Sequence, residues 1–129
     1  GFAVIRDIRK TLVYRLARWR NERSPVIPER IITRPPSAEL RPDQTDQDSL
    51  PPYDVLDGII ELYMEQGASL PEIVAAGYSA AEVNRVVRLI RVNEYKRRQA
   101  PVGIRVTHRG FGRDWRYPIT NRFREEVAP

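Results

Sequence analysis

The sequence has no cysteine. Disulfide frameworks, thiol nucleophiles and cysteine-built zinc sites are therefore excluded. Its single histidine, His108, excludes a His-rich metal site and reads as a surface residue. No apolar run approaches the roughly 20 residues that a membrane-spanning helix needs, and no secretory signal is visible. The cytoplasm is the expected location. Glycine is sparse, at seven residues in 129. The one glycine-rich spot, Gly110-Phe111-Gly112, lacks the preceding strand and following helix of a dinucleotide-binding loop and reads as a turn. The chain opens on Gly1-Phe2-Ala3-Val4 without methionine, which is the expectation for a fragment or a processed product.

What is present fits one small globular domain with a modest core. Hydrophobic residues make up 41% and charged residues 30%. Lys plus Arg number 22 against 17 Asp plus Glu, for a net charge of +5. The two ends of the chain are basic and its middle is acidic. A basic surface calls for an anionic partner: nucleic acid, a phosphorylated small molecule, or the acidic face of another protein.

The most unusual stretch is 34–54, RPPSAELRPDQTDQDSLPPYD, with five prolines and five acidic residues. Proline removes a donor and fixes φ, so this stretch is neither a helix interior nor a central strand. A loop of this length is a linker or a functional lid. Its varied, non-repetitive polar residues favour the lid. Asp43, Asp46 and Asp48 lack the glycine and the terminal glutamate of a calcium loop at the needed spacing. They read as solvated or paired with arginine.

Around this loop the pattern is helical. Helical spacing of Leu12, Leu16 and Trp19 predicts a helix over 11–23, stopped by Ser24-Pro25. Val55, Leu56, Ile59, Ile60, Tyr63 and Met64 form a broad apolar stripe that predicts a helix over 53–66. Gly67 stands where a left-handed cap belongs. Ser69-Leu70-Pro71-Glu72 and Ser79-Ala80-Ala81-Glu82 are capping-box signals that open helices over 70–76 and 80–98. Residues 102–129 show no helical period and read as an irregular basic tail that must pack on something to be ordered. Lys96, Arg97 and Arg98 complement the helix dipole at the end of the last helix, or form an anion-binding cluster. The aromatic residues read as packing anchors. Basic and aromatic residues are not interleaved in a recognisable nucleic-acid module. A basic helical nucleic-acid or oligomerisation module is the alternative reading.

Four stretches carry a resemblance that covers essentially the whole chain. They are GFAVIRDIRKTLVYRLARWRN at the start, TRPPSAELRPDQTDQDSLPPYDVLD over 33–57, NEYKRRQAP over 93–101 and FGRDWRYPITNRF over 111–123. Their sequence and order resemble the C-terminal half of the glutamine-dependent NAD+ synthetases. The resemblance implies the helical C-terminal portion of an adenine-nucleotide hydrolase-like, Rossmann-like α/β synthetase domain. That family adenylates the nicotinate carboxylate of deamido-NAD+ with ATP and Mg2+. Ammonia, made from glutamine by a nitrilase-like domain, then displaces AMP.

The resemblance also implies roles for individual residues. Lys96 resembles the residue that contacts deamido-NAD+, with Tyr95 beside it where histidine is frequent. Ser37 resembles a hydroxyl that contacts ATP, and Arg18 matches a position where some relatives place an ATP-contacting lysine. The loop over 34–52 resembles the segment that closes over the substrates. No residue stands out as a catalytic acid, base or nucleophile, so positioning and charge stabilisation are the expected roles. The Ser-Gly-Gly-x-Asp-Ser pyrophosphate loop, the strands that carry it, the Mg2+-holding glutamate and the glutaminase domain have no counterpart here. The 129 residues alone are expected to be inactive, to have as partners the rest of the synthetase and glutaminase domains, and to form a homo-oligomer. No cofactor is expected to bind them tightly on their own. No membrane partner is expected, and the resemblance weighs against nucleic acid.

Overall fold

The computed structural model describes residues 1–37 and 42–128. The helices are α1 (Lys10–Arg23), α2 (Glu29–Thr33), α3 (Tyr53–Ile60), α4 (Leu70–Ala75), α5 (Ala80–Val92) and α6 (Glu94–Gln99). Two short strands, β1 (Phe2–Ala3) and β2 (Val102–Gly103), pair in parallel with Phe2 opposite Val102. The chain is thus mainly helical, and residues 100 apart in sequence meet at the strand pair. Gly103 permits that meeting. A Cβ there would lie 2.5 Å from the Ala3 carbonyl oxygen.

The capping signals set the middle of the chain. Ser69 donates its backbone N–H to Glu72 at 2.8 Å, and Ser79 accepts the Glu82 N–H at 3.2 Å. The Ser69 hydroxyl and backbone N–H hold the Glu72 carboxyl below its usual pKa. Gly67 closes the preceding helical segment with φ +72°. Between α3 and Gly67 the chain winds in wider π-helical turns over Glu61–Gln66 rather than continuing the helix read over 53–66. Such turns are rare and frequent near functional sites. Here Arg9 fills the place beside them, reaching Glu61 at 2.5 Å and the Asp57 carbonyl at 3.4 Å.

The core lies between α3, these turns, α4 and α5. Ile59, Tyr63, Met64, Leu70, Ile73, Val83, Val86 and Val87 are buried together. Each fully buried aliphatic side chain contributes about 1.5–3 kcal/mol relative to exposure. The tail does pack: Trp115, Tyr117 and Val127 lie against this core without forming regular elements. Its end is fixed by Asn84, whose amide pairs with both the N–H and the C=O of Val127.

A further expectation changes in the structure. The helix read over 80–98 is two helices meeting at Asn93, which has φ −96° and ψ 8°. The Asn93 side-chain amide takes the Leu89 carbonyl at 2.8 Å, so it competes with the helix ladder there. On α1 the apolar stripe is only partly covered: Leu12, Val13 and Ala17 are half-buried, no residue of the helix is fully buried, and Trp19 is 47% exposed with Arg23 stacked 4.0 Å over its ring.

In the proline-rich loop, residues 38–41 lie outside the described residues. The part that follows is anchored. Thr45 and Asp48 cap a short 3-10 turn at Asp46–Asp48, Tyr53 donates to Asp46 at 2.7 Å, and Arg85 reaches the Ser49 carbonyl at 2.5 Å. Burial, then the Asp46 contact, pushes the Tyr53 hydroxyl above its usual pKa.

Candidate functional site

Helix α6 is the element on which the expected anion contacts sit. Its six residues split into two faces. Glu94 and Arg97 point inward, at 1% and 5% exposure, whereas Tyr95, Lys96 and Arg98 are exposed. Arg97 donates one nitrogen to Glu94 at 2.8 Å and the other to the Phe111 and Trp115 carbonyls at 2.9 and 2.5 Å. Arg116 reaches the second Glu94 oxygen at 3.2 Å. Burial pushes Arg97 below the ordinary guanidinium pKa; Glu94 opposes this and Arg116 adds to it. A guanidinium nevertheless stays charged.

The other end of α6 is held by two neighbouring residues from the far end of the sequence. Arg6 donates to the Arg97, Ala100 and Pro101 carbonyls at 3.1, 3.4 and 2.5 Å. They lie in the last turn of α6 and just beyond it, where carbonyls are short of helical partners. Asp7 next to it accepts the Val106 and Thr107 amides at 2.7 and 2.8 Å, the Thr107 hydroxyl at 2.8 Å and the Phe111 amide at 2.5 Å. Burial alone would raise the Asp7 pKa; these hydrogen bonds outweigh it and hold the carboxyl below its usual value. Arg6 and Asp7 together clasp α6 and the tail.

A cavity of about 420 Å3 opens between these elements. Ile60, Met64, Ile90 and Phe111 give it an apolar floor, and Lys96 stands on its wall. Asp57, also on the wall, caps the start of α1 by accepting the Thr11 amide at 2.8 Å. Arg9 is committed to Glu61 and Glu65, and Arg97 to Glu94. Among the described residues Lys96 makes no ion pair, nor do the other two cations of the lining, Arg6, which is bound to carbonyls, and Arg109, which lies 4.9 Å over the Trp115 ring. Chemically, this is a place for an anion with a flat apolar body. An ammonium supplies a compact charge, and the apolar walls lower the local dielectric.

The four residues expected to bind nucleotides do not converge on this cavity. Lys96 lines it; Tyr95, next to it, lines a separate groove of about 610 Å3 between α5 and the tail. The Lys96 ammonium lies 5.9 Å from the centre of the Tyr95 ring. Ser37 is half-buried at the edge of the described part of the loop, and Arg18 is exposed on α1; neither lines either cavity. Of the residues that build the site, the sequence presents Arg97 only as part of a basic helix end or anion-binding cluster, and it gives Arg6, Asp7 and Glu94 no role. Only Glu94 and Arg97, spaced i and i+3, carried a local signal. Among the described residues, no group of three or more acidic, histidine or cysteine side chains is placed to hold a metal ion. No helix there is long and apolar enough to cross a membrane.

Similarity to known proteins is extensive. The model of the NAD synthase family matches residues 1–100. The glutamine-dependent NAD(+) synthetase of Aquifex aeolicus is 57% identical over 123 residues, 95% of this chain and 22% of the relative. That of Thermotoga maritima is 54% identical over 129 residues, 98% of this chain and 22% of the relative. A solved structure of the glutamine-dependent NAD+ synthetase of Acinetobacter baumannii, in complex with ADP, matches with TM-score 0.57 and 44% identity, over 94% of this chain and 21% of that one. The chain thus spans about a fifth of the length of these relatives. A family match over most of its residues, at identities above one half to named relatives, makes this chain a member of the NAD synthase family.

Proposed function

We propose that the chain is the C-terminal part of a glutamine-dependent NAD+ synthetase and forms one wall of its deamido-NAD+ site. The parent reaction is ATP-dependent adenylation of deamido-NAD+ followed by amidation with ammonia. The single observation that carries the reading is Lys96, an uncommitted cation on the wall of an apolar cavity. There the ammonium holds a phosphate or carboxylate of deamido-NAD+ in register. Tyr95 lies beside it; Ser37 and Arg18 are assigned to ATP. The segment 34–52 covers the substrates and excludes water, which strengthens the charge contacts inside. The synthetase-domain fold is of the adenine-nucleotide hydrolase type, with its remainder and the glutaminase domain as partners in the cytoplasm. Mg2+ is assigned to no residue of this chain. The 129 residues alone are inactive.

In the full-length protein, Lys96→Ala is expected to raise the KM for deamido-NAD+ by about tenfold, the loss of one charge-assisted contact. The KM for ATP is expected to stay near its original value. Unchanged deamido-NAD+ kinetics would remove Lys96 from the site.

Self-association belongs to the same reading. Leu16, Trp19, Val26 and Ile31 are exposed on and beside α1, more apolar surface than a solvated helix needs. Trp19→Glu in the full-length protein is expected to shift the sedimentation profile towards monomer. An unchanged profile would place the assembly surface elsewhere.

A further inference from the structure

We propose that Glu94 is a positioning residue for Lys96, on the reading that Lys96 contacts deamido-NAD+. The Glu94 carboxylate sets how α6 lies, and thereby where the Lys96 ammonium meets the cavity.

Three observations carry this. Glu94 opens α6 directly after the break at Asn93, so α6 does not inherit its direction from α5. A short helix of six residues has little stability of its own and takes its orientation from tertiary contacts. Those contacts converge on Glu94. Both of its oxygens are held, one by Arg97 at 2.8 Å and the other by Arg116 at 3.2 Å, with the residue 1% exposed. The Arg97 fork in turn fixes α6 to the Phe111 and Trp115 carbonyls.

A buried ionic cluster is a poor way to gain stability, because desolvation offsets the attraction. What it supplies is direction: a forked guanidinium and a carboxylate meet in few geometries. An apolar residue at position 94 would fill the space but drop both guanidinium contacts, so the start of α6 would lose its directed hold while Arg6 kept the C-terminal end. Lys96 lies two residues along the same short helix, so a small rotation about the helix axis displaces its ammonium. Misplacement of a binding group by about 1 Å is enough to lose a large part of its effect. Tyr95, facing the other groove, is outside this argument.

The test is a double-mutant cycle in the full-length protein with Glu94→Gln and Lys96→Met, read as KM for deamido-NAD+ and KM for ATP. Thermal melts accompany each variant. Glu94→Gln keeps the shape and removes the charge that orients both arginines. It is expected to raise the KM for deamido-NAD+ about tenfold and to leave the KM for ATP within about twofold. In the Lys96→Met background, Glu94→Gln is expected to change the deamido-NAD+ KM by less than about twofold, because the group it positions is gone. Additive effects, equal rises in both KM values, or no rise from Glu94→Gln would each overturn the proposal. If Lys96→Met itself leaves the KM unchanged, the reading of Lys96 fails first and the proposal falls with it. Should Glu94→Gln not fold, Arg116→Gln removes one of the two cations at a half-exposed position, and the same non-additivity with Lys96→Met is required of it.

Discussion

Asp7→Ala is expected to lower the unfolding free energy of the chain by about 2–4 kcal/mol, the cost of leaving the backbone amides it accepts without a partner. Asp7 is 7% exposed and accepts three backbone amides and one hydroxyl. Alanine leaves the Val106, Thr107 and Phe111 amides without their acceptor, each at a cost of about 1–3 kcal/mol if water does not reach it. The loss falls on one region, because the same amides order the segment that supplies Phe111 to the cavity floor. Urea unfolding followed by circular dichroism measures it. A loss under about 1 kcal/mol, the scale of an exposed ion pair, would mean that water replaces Asp7 without penalty.

The same residue predicts a pH dependence with a definite sign. Its native pKa lies below the usual 3.8, because the hydrogen bonds outweigh burial. A depressed carboxyl contributes stability that is fully present above the unfolded value and is lost as pH falls through the native one. The unaltered chain is therefore expected to lose stability as pH drops below about 4. Asp7→Ala is expected to flatten that part of the profile.

Arg97→Met is the second large effect, about 3–5 kcal/mol. The substitution keeps apolar bulk but leaves Glu94, 1% exposed, with Arg116 as its remaining cation at 3.2 Å. It also takes the donor from the Phe111 and Trp115 carbonyls. Adding Glu94→Leu is expected to recover part of the loss, since a buried pair replaced whole by apolar residues is close to neutral. What Glu94→Leu restores is the cost of a buried carboxylate left with Arg116 alone, and what stays lost belongs to the two carbonyls and to Arg116, which then has no carboxylate. Urea midpoints of the single and double variants decide this. A double variant no more stable than Arg97→Met alone would leave the buried carboxylate no net share of the loss.

Local chemistry was legible wherever its partners lie close in sequence. The Ser69–Glu72 box, the Ser79 cap on the Glu82 N–H, the left-handed Gly67 and the stripe from Val55 to Met64 are each written within a few residues, and each is found in the structure. Less legible was the break at Asn93. Residues 80–98 read as one helix because the apolar period ends gradually and no Gly or Pro intervenes. At the break the Asn93 side chain bonds one turn back to the Leu89 carbonyl, beside its own backbone N–H, a contact that propensity alone does not weigh. The π-helical turns after α3 were also unread: the apolar stripe continues through them without a local signal, and the Arg9 that meets Glu61 there lies 52 residues away.

By itself the sequence determined the helical middle of the chain, its caps, and the family to which it belongs, since these rest on short-range patterns and on motifs read in order. The candidate site was another matter. Lys96 was visible as a residue, but the wall it stands on is made by Arg6 and Asp7 reaching across 91 and more positions to α6 and the tail. A backbone carbonyl or amide left over at a helix end, or in an irregular tail, accepts any suitable side chain that arrives. Which one arrives is decided by how the elements pack, and only the tertiary structure brings an arginine and an aspartate from the first strand's loop to that place.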